Sequence, residues 1–308
     1  MSKFTFKNFP RDFYGLFSYV NSDPRISLSE IGRQMGIDRR TATAWWKLAV
    51  ENRIIIPPIL RKKSFLNFRE YVYFLKVKDP HKLFKKLMDN KDITYYTVQT
   101  GFSNFAITAK KEIDPPGEII FSGQRSDWLV SVPPACTYEQ AAQRISQKLD
   151  NIIDDDPQPS PLMYHDTVYE PWDEKDEVIY EELHDNMRKP FLPIMKTHTI
   201  YSDKIMNWIK ERDTFGQTFT FYYPEGEGAY LPVMYAMKTE YDSLIIDLFS
   251  QLPVTSVFYR LRDLFFMTLY IPFPLFARSL VRMVLSRLQE SGLIEDYDNA
   301  IIEYHFRP

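Results

Sequence analysis

Arg39, Arg40, Thr43 and Lys47 put three cations and a hydroxyl on one face of any helix that contains them. Guanidinium forks, an ammonium and a hydroxyl donate to phosphate oxygens and to base edges in a major groove. Fourteen residues beyond Lys47, "RKKS" brings Arg61, Lys62 and Lys63 together at the end of a β-rich run, "RIIIPPIL". Such a run is expected to act as a wing, with its cations along a phosphate backbone.

The stretch "SLSEIGRQMGIDRRTATAWWK" supplies the elements that must position these groups. Ser27 and Glu30 have capping-box spacing and predict a helix start. Gly36 supplies a positive-φ stop, and Asp38 is placed to cap a second helix. In that helix Ala42, Trp45, Trp46, Ala49 and Val50 recur at the spacing of one buried face, which leaves the basic stripe outward. Helix, tight turn, helix is expected.

Charge is uneven along the 308 residues. The first 64 hold five Lys and seven Arg against three Asp and two Glu, a net of +7, so the other 244 carry -10 of the overall -3. A basic module that meets a polyanion is thus expected on an acidic body. The single cysteine, Cys136, excludes an internal disulfide and a CxxC metal or redox site, and with no secretory leader pattern a cytoplasmic protein is expected. The most apolar run, "LFFMTLYIPFPL", is too short for a membrane span and reads as a core strand running into a helix.

The module occurs twice. A gapless shift of 163 places sets Arg25 on Arg188, Ile31 on Ile194, Ile37 on Ile200, Trp45 on Trp208 and Lys47 on Lys210. The outward stripe does not repeat: Arg39, Arg40 and Thr43 fall on Ser202, Asp203 and Met206. Residues 172–226 hold seven Lys or Arg against eleven Asp or Glu, a net of -4, so packing or dimer contact is expected of the second copy.

A ferredoxin-like βαββαβ follows each copy by pattern. In the second half "AYLPVMYAMKT", "EYDSLIIDLFSQL", "VTSVFYRLRDLFFMTLYI", "FPLFARSLVRMVLSRLQESG" and "YDNAIIEYHF" give that order directly. In the first half an extra hairpin, "GEIIFSGQRSDWLVSVPP", precedes the second helix, "YEQAAQRISQKLDNI", and "LMYHDTVYEP" is the expected last strand. The fold class is therefore α+β: two tandem units, each a winged helix-turn-helix followed by a ferredoxin-like domain. The segments are 1–64, 65–171, 172–226 and 227–308.

This order resembles the leucine-responsive regulatory protein (Lrp/AsnC) family, here duplicated. The best local matches are "DPRISLSEIGRQMGIDRRTATAWWKLAVENRIII" and the "TG" hairpin in "YYTVQTGFSNFAITA". The resemblance implies a transcription regulator that binds double-stranded DNA, pairs through RAM-like ferredoxin domains and responds to a small effector. It places Thr100, Gly101 and Asn104 near an effector or assembly surface. With one DNA-reading helix per chain, a homodimer is expected to cover a palindrome.

Arg125 and Asp127, in "GQRSDWLV", form a second candidate ligand or partner patch. No Walker loop, G-x-S-x-G or H-E-x-x-H is present, so no catalytic residue, cofactor or metal is assigned. Asp154, Asp155 and Asp156 read as a solvated Pro-containing loop. Two alternatives stay open. Some proteins of this architecture are similar to sirohaem decarboxylases, whose helix-turn-helix no longer binds DNA and whose ferredoxin-like half holds a tetrapyrrole; the basic stripe argues against that. The other is an interaction scaffold in which both copies dock partners.

Overall fold

The computed structural model describes residues 9–154, 157–273 and 275–306. The first half of the chain forms α1 (Phe9–Ser22), α2 (Leu28–Met35), α3 (Arg39–Glu51), β1 (Ile55–Lys62), β2 (Tyr71–Lys76), α4 (Pro80–Leu87), β3 (Ile93–Gly101), β4 (Phe105–Ala109), β5 (Glu118–Gln124), β6 (Leu129–Val130) and α5 (Tyr138–Asp154). The second half forms α6 (Glu174–Leu183), α7 (Phe191–His198), α8 (Ser202–Phe215), β7 (Gly216–Tyr222), β8 (Tyr230–Lys238), α9 (Asp242–Phe249), β9 (Val257–Leu261), β10 (Leu264–Pro272), α10 (Leu275–Glu290) and β11 (Asp296–Phe306). Two tandem winged helix-turn-helix and ferredoxin-like sets, of α+β class, are present.

The four sequence segments recombine into two units. One gathers residues 1–62 and 169–229, the other 63–168 and 230–308. Among the described residues no helix is long and apolar enough to cross a membrane.

The first unit pairs the two helix-turn-helix copies. β1 and β7 run antiparallel, with an irregularity between Ile56 and Ile59 where Pro57 and Pro58 have no N–H to donate. Phe13, Leu16, Phe17, Val20, Ile31, Ala49, Ile54 and Ile55 bury together with Tyr222, a residue of the other copy. Its ring stacks on Phe17 at 5.0 Å. Arg25 and Arg188, equivalent under the 163-residue shift, act reciprocally. Arg25 donates to the carbonyls of Met187 and Lys189, and Arg188 donates to those of Pro24 (2.9 Å) and Ile26 (2.8 Å). Each guanidinium also lies over a ring of the other copy, Arg25 over Phe191 and Arg188 over Trp46.

The second unit holds one sheet in the order β5-β2-β4-β3-β11-β8-β10-β9-β6. Its right-hand part, β11-β8-β10-β9, is the expected ferredoxin-like order. β3 meets β11 at the seam between halves, and an isolated bridge from Arg125, just past β5, to Leu261 of β9 links the far end of the first half back to the second. Inside, Val72, Phe74 and Phe102 from the first half pack on Met234, Tyr259 and Phe266 from the second, with Phe74 and Phe266 stacked at 4.9 Å.

Three expectations for the first half are corrected. "GEIIFSGQRSDWLVSVPP" is no hairpin: β5 pairs with β2, and β6 with β9. β5 thereby fills the edge position of a fourth strand, and "LMYHDTVYEP" forms none. The helix at 138–154 exists but packs with the second half: Lys148 pairs with Asp247, Arg287 with Asp150, and the Tyr138 hydroxyl donates to the Tyr270 carbonyl. α5, α9 and α10 thus lie together, while the outer face of the first half holds α4, through Leu83, Phe84 and Leu87 against Tyr73, Leu75 and Tyr96.

Candidate nucleic-acid interface

α3 begins where Asp38 caps it, accepting from the amides of Arg40 (2.8 Å) and Thr41 (3.0 Å) and from the Thr41 hydroxyl (2.7 Å). These bonds hold the Asp38 carboxyl below the usual carboxylate range, so the cap stays ionised at the positive end of the helix. Gly36, with φ 68°, ends α2 and accepts no side chain strain there. Only half of the expected capping box forms: the Glu30 amide donates to Ser27 Oγ, but the Glu30 carboxylate turns to Arg33 and Gln34. These contacts lower the Glu30 carboxyl to about 2. The reciprocal box appears in the second copy, between Asp173 and Asp176.

Buried Ala42 and Ala49, with partly buried Trp45 and Trp46, anchor α3 to the unit. Arg39, Arg40, Thr43 and Lys47 are all exposed on its other face. Thr43 donates to the Arg39 carbonyl at 2.7 Å, which fixes its hydroxyl along the stripe. Lys47 makes one loose pair with Glu51 at 3.6 Å, both side chains being more than half exposed. Such a pair gives way readily to a stronger anion. The structure therefore brings these four together as expected.

The other cations are placed differently. Arg61 is 11% exposed and donates to Asp185 at 3.2 Å, and Lys62 is 14% exposed, paired with Glu177 and seated over the rings of Trp172 (4.7 Å) and Tyr180 (4.3 Å). Both belong to β1, where pairing with the acidic second copy neutralises them inside the unit instead of leaving them on an open wing. Lys63 is half-buried and begins the second unit.

Of the expected effector residues, Gly101 stands at the β3–β11 seam. Its φ is 150°, and a Cβ there would come within 2.1 Å of the Asn299 carbonyl oxygen. Thr100 donates across the same seam to Glu303. Asn104 braces the end of β2, exchanging two 2.8 Å hydrogen bonds with the backbone of Val77. Arg125 is 4% exposed, paired with Glu70 and over Trp128, and Asp127 accepts from the Ser64 amide and contacts His165 at 2.8 Å. These five groups hold strands and loops; they do not converge on one cleft.

On α8, Ser202, Asp203, Met206 and Lys210 are exposed, as the shifted stripe requires, and Glu211 and Asp213 join them. The second outward face is acidic. Asp155 and Asp156 lie outside the described residues, and among those described no cluster of three His, Cys, Asp or Glu suits a metal.

No protein-family model and no curated sequence matches this chain. Solved structures do. The siroheme decarboxylase NirDL in co-complex with an iron-uroporphyrin III analogue aligns with TM-score 0.52 at 13% identity, covering 96% of this chain and 92% of that one. A second structure of the siroheme decarboxylase NirDL gives TM-score 0.53 at 12% identity with the same coverage. The likeness is one of fold. It spans both units and matches the tandem winged helix-turn-helix and ferredoxin-like architecture.

Proposed function

We propose that this chain is a sequence-specific DNA-binding transcription regulator of the Lrp/AsnC type, with α3 as its reading helix. The observation that carries this is the exposed stripe of Arg39, Arg40, Thr43 and Lys47 beginning at a capped helix N-terminus. Arg39 and Arg40 contact base edges and phosphates, Thr43 and Lys47 the adjoining backbone. α8 is acidic and is repelled by phosphate, so each chain offers one reading helix. A palindromic operator then takes two chains, with α3 helices about 34 Å apart or a multiple of it. A small effector tunes this binding.

A salt titration on labelled genomic DNA fragments tests it. About four to six phosphate contacts give a log-log slope of roughly -0.9 per contact. Arg39→Ala with Arg40→Ala is expected to abolish specific binding at an unchanged melting midpoint, because both side chains are exposed. Unchanged affinity in that variant would refute it.

A second reading draws support from the full-length likeness to NirDL and from the internal neutralisation of Arg61 and Lys62: a siroheme-decarboxylase-like enzyme whose helix-turn-helix pair is scaffold. Iron-uroporphyrin III added to the protein separates the two. A saturable shift of the Soret band, with no salt-sensitive DNA binding, would favour the enzyme.

A further inference from the structure

The second unit places α5 with the second half, so the outer face of β2 and β5 lacks the second helix that a ferredoxin-like sheet ordinarily carries. A cleft of about 530 Å³ lies over that face. Its size falls within the range of small-molecule sites. The cross-strand pairs Tyr71–Gln124 and Tyr73–Ser122 stand on one side of the sheet and form its floor. Leu162, Met163 and Tyr164 contribute one wall, and Arg262, from the β9–β10 turn, another.

The polar groups of this cleft are unevenly used. The Tyr71 hydroxyl accepts from Gln124 Nε2 at 3.0 Å and the Tyr73 hydroxyl accepts from the Ile113 amide at 2.9 Å. Among the described residues neither hydroxyl proton has an acceptor. Burial pushes the Tyr73 phenol up, which keeps it a donor. Asp166 is already bound by Arg69 at 3.1 Å. The guanidinium of Arg262 has no acidic partner among the described residues. Its position is costly for an arginine: φ is 56°, where glycine or asparagine sits more easily. Gly123 makes room for its stem, since a Cβ there would lie 2.9 Å from Arg262 Cγ and Nε. An unpaired cation held at a strained turn beside a side-chain-free position is the arrangement of a ligand clamp.

We infer that this cleft binds a small aromatic carboxylate. Arg262 takes the carboxylate, the Tyr71 and Tyr73 hydroxyls donate to a ring substituent, and the tyrosine rings with Leu162 and Met163 cover the ring. Glu112 at the rim selects against a second anionic group. The site lies in the second unit and shares no residue with α3. It rests on the regulator reading only in so far as the ligand is that regulator's effector.

Calorimetric titration of the full chain, without DNA, tests the assignment, with 4-hydroxybenzoate as probe and benzoate and sulfate as comparisons. Saturable 1:1 binding is expected for 4-hydroxybenzoate. It should weaken roughly tenfold in Arg262→Gln and less in Tyr73→Phe, with benzoate weaker than 4-hydroxybenzoate and sulfate no competitor at matched ionic strength. Arg262 is exposed, so the variant is expected to keep the wild-type melting midpoint. Absence of saturable heat, equal affinity in both variants, or competition by sulfate would overturn it. Because no DNA is present, failure here leaves the α3 stripe standing, and failure of the salt titration leaves the cleft standing.

Discussion

The two halves of the chain are alike where they join and unlike where they face outward. At the joints, Arg25 and Arg188 make the same contacts in opposite directions, and β1 pairs with its counterpart β7. Outward, α3 is basic and α8 acidic, and the first half of the sheet is packed by α4 while three helices serve the second. A duplicated protein that must stay paired keeps the residues that pair it. Its free surfaces carry no such obligation and can diverge in charge and cover.

The contrast can be broken at the joints first. Gly101→Val should cost about 3–5 kcal/mol, because the added atoms meet β11 backbone with no room to move; urea unfolding followed by circular dichroism measures it. If the cost is under about 1 kcal/mol, the seam is looser than its geometry. Arg25→Ala and Arg188→Ala should each cost about 2 kcal/mol by leaving carbonyls of the other copy without their donors. The pair should be non-additive in a double-mutant cycle if the two residues clamp a single interface.

The faces allow a gain-of-function experiment. Ser202→Arg with Asp203→Arg restores two cations to α8 and should steepen the salt slope of DNA binding by roughly one to two contacts. An unchanged slope would mean that α8 cannot approach DNA and that its acidity is incidental. The smallest expected effect concerns pH. Burial lowers the His184 imidazole below its ordinary 6.5, so the unfolded chain binds more protons than the folded one between the two values. Stability should therefore fall as pH drops below 6.5, and His184→Gln should flatten that dependence in thermal melts.

Much of this was legible in the sequence because it is local. Asp38, Gly36 and the stripe on α3 depend on spacings of one to four residues, and periodicity states those directly. The fate of Arg61 and Lys62 was not legible. Their acids, Asp185 and Glu177, lie more than a hundred residues away, and a charge run looks the same whether solvent or a distant carboxylate receives it. The α5 helix was found by pattern and assigned to the wrong half, since amphipathic spacing says that a face is buried without saying against what. The cleft was missed for the same reason: the alternation of Tyr71 and Tyr73 marks one face of a strand without saying which helix covers it.

Interleaving of the halves also sets a timetable for synthesis. α1 to α3 emerge from the ribosome long before Tyr222, the ring that completes their core. At about 5–20 residues per second, some 160 residues of delay amount to roughly 10–30 seconds. For that interval the nascent chain displays a half-built apolar surface and an unpaired β1 edge. Crowded polysomes, with many such edges on neighbouring chains, favour pairing between molecules at the very stage when pairing within one molecule is not yet available.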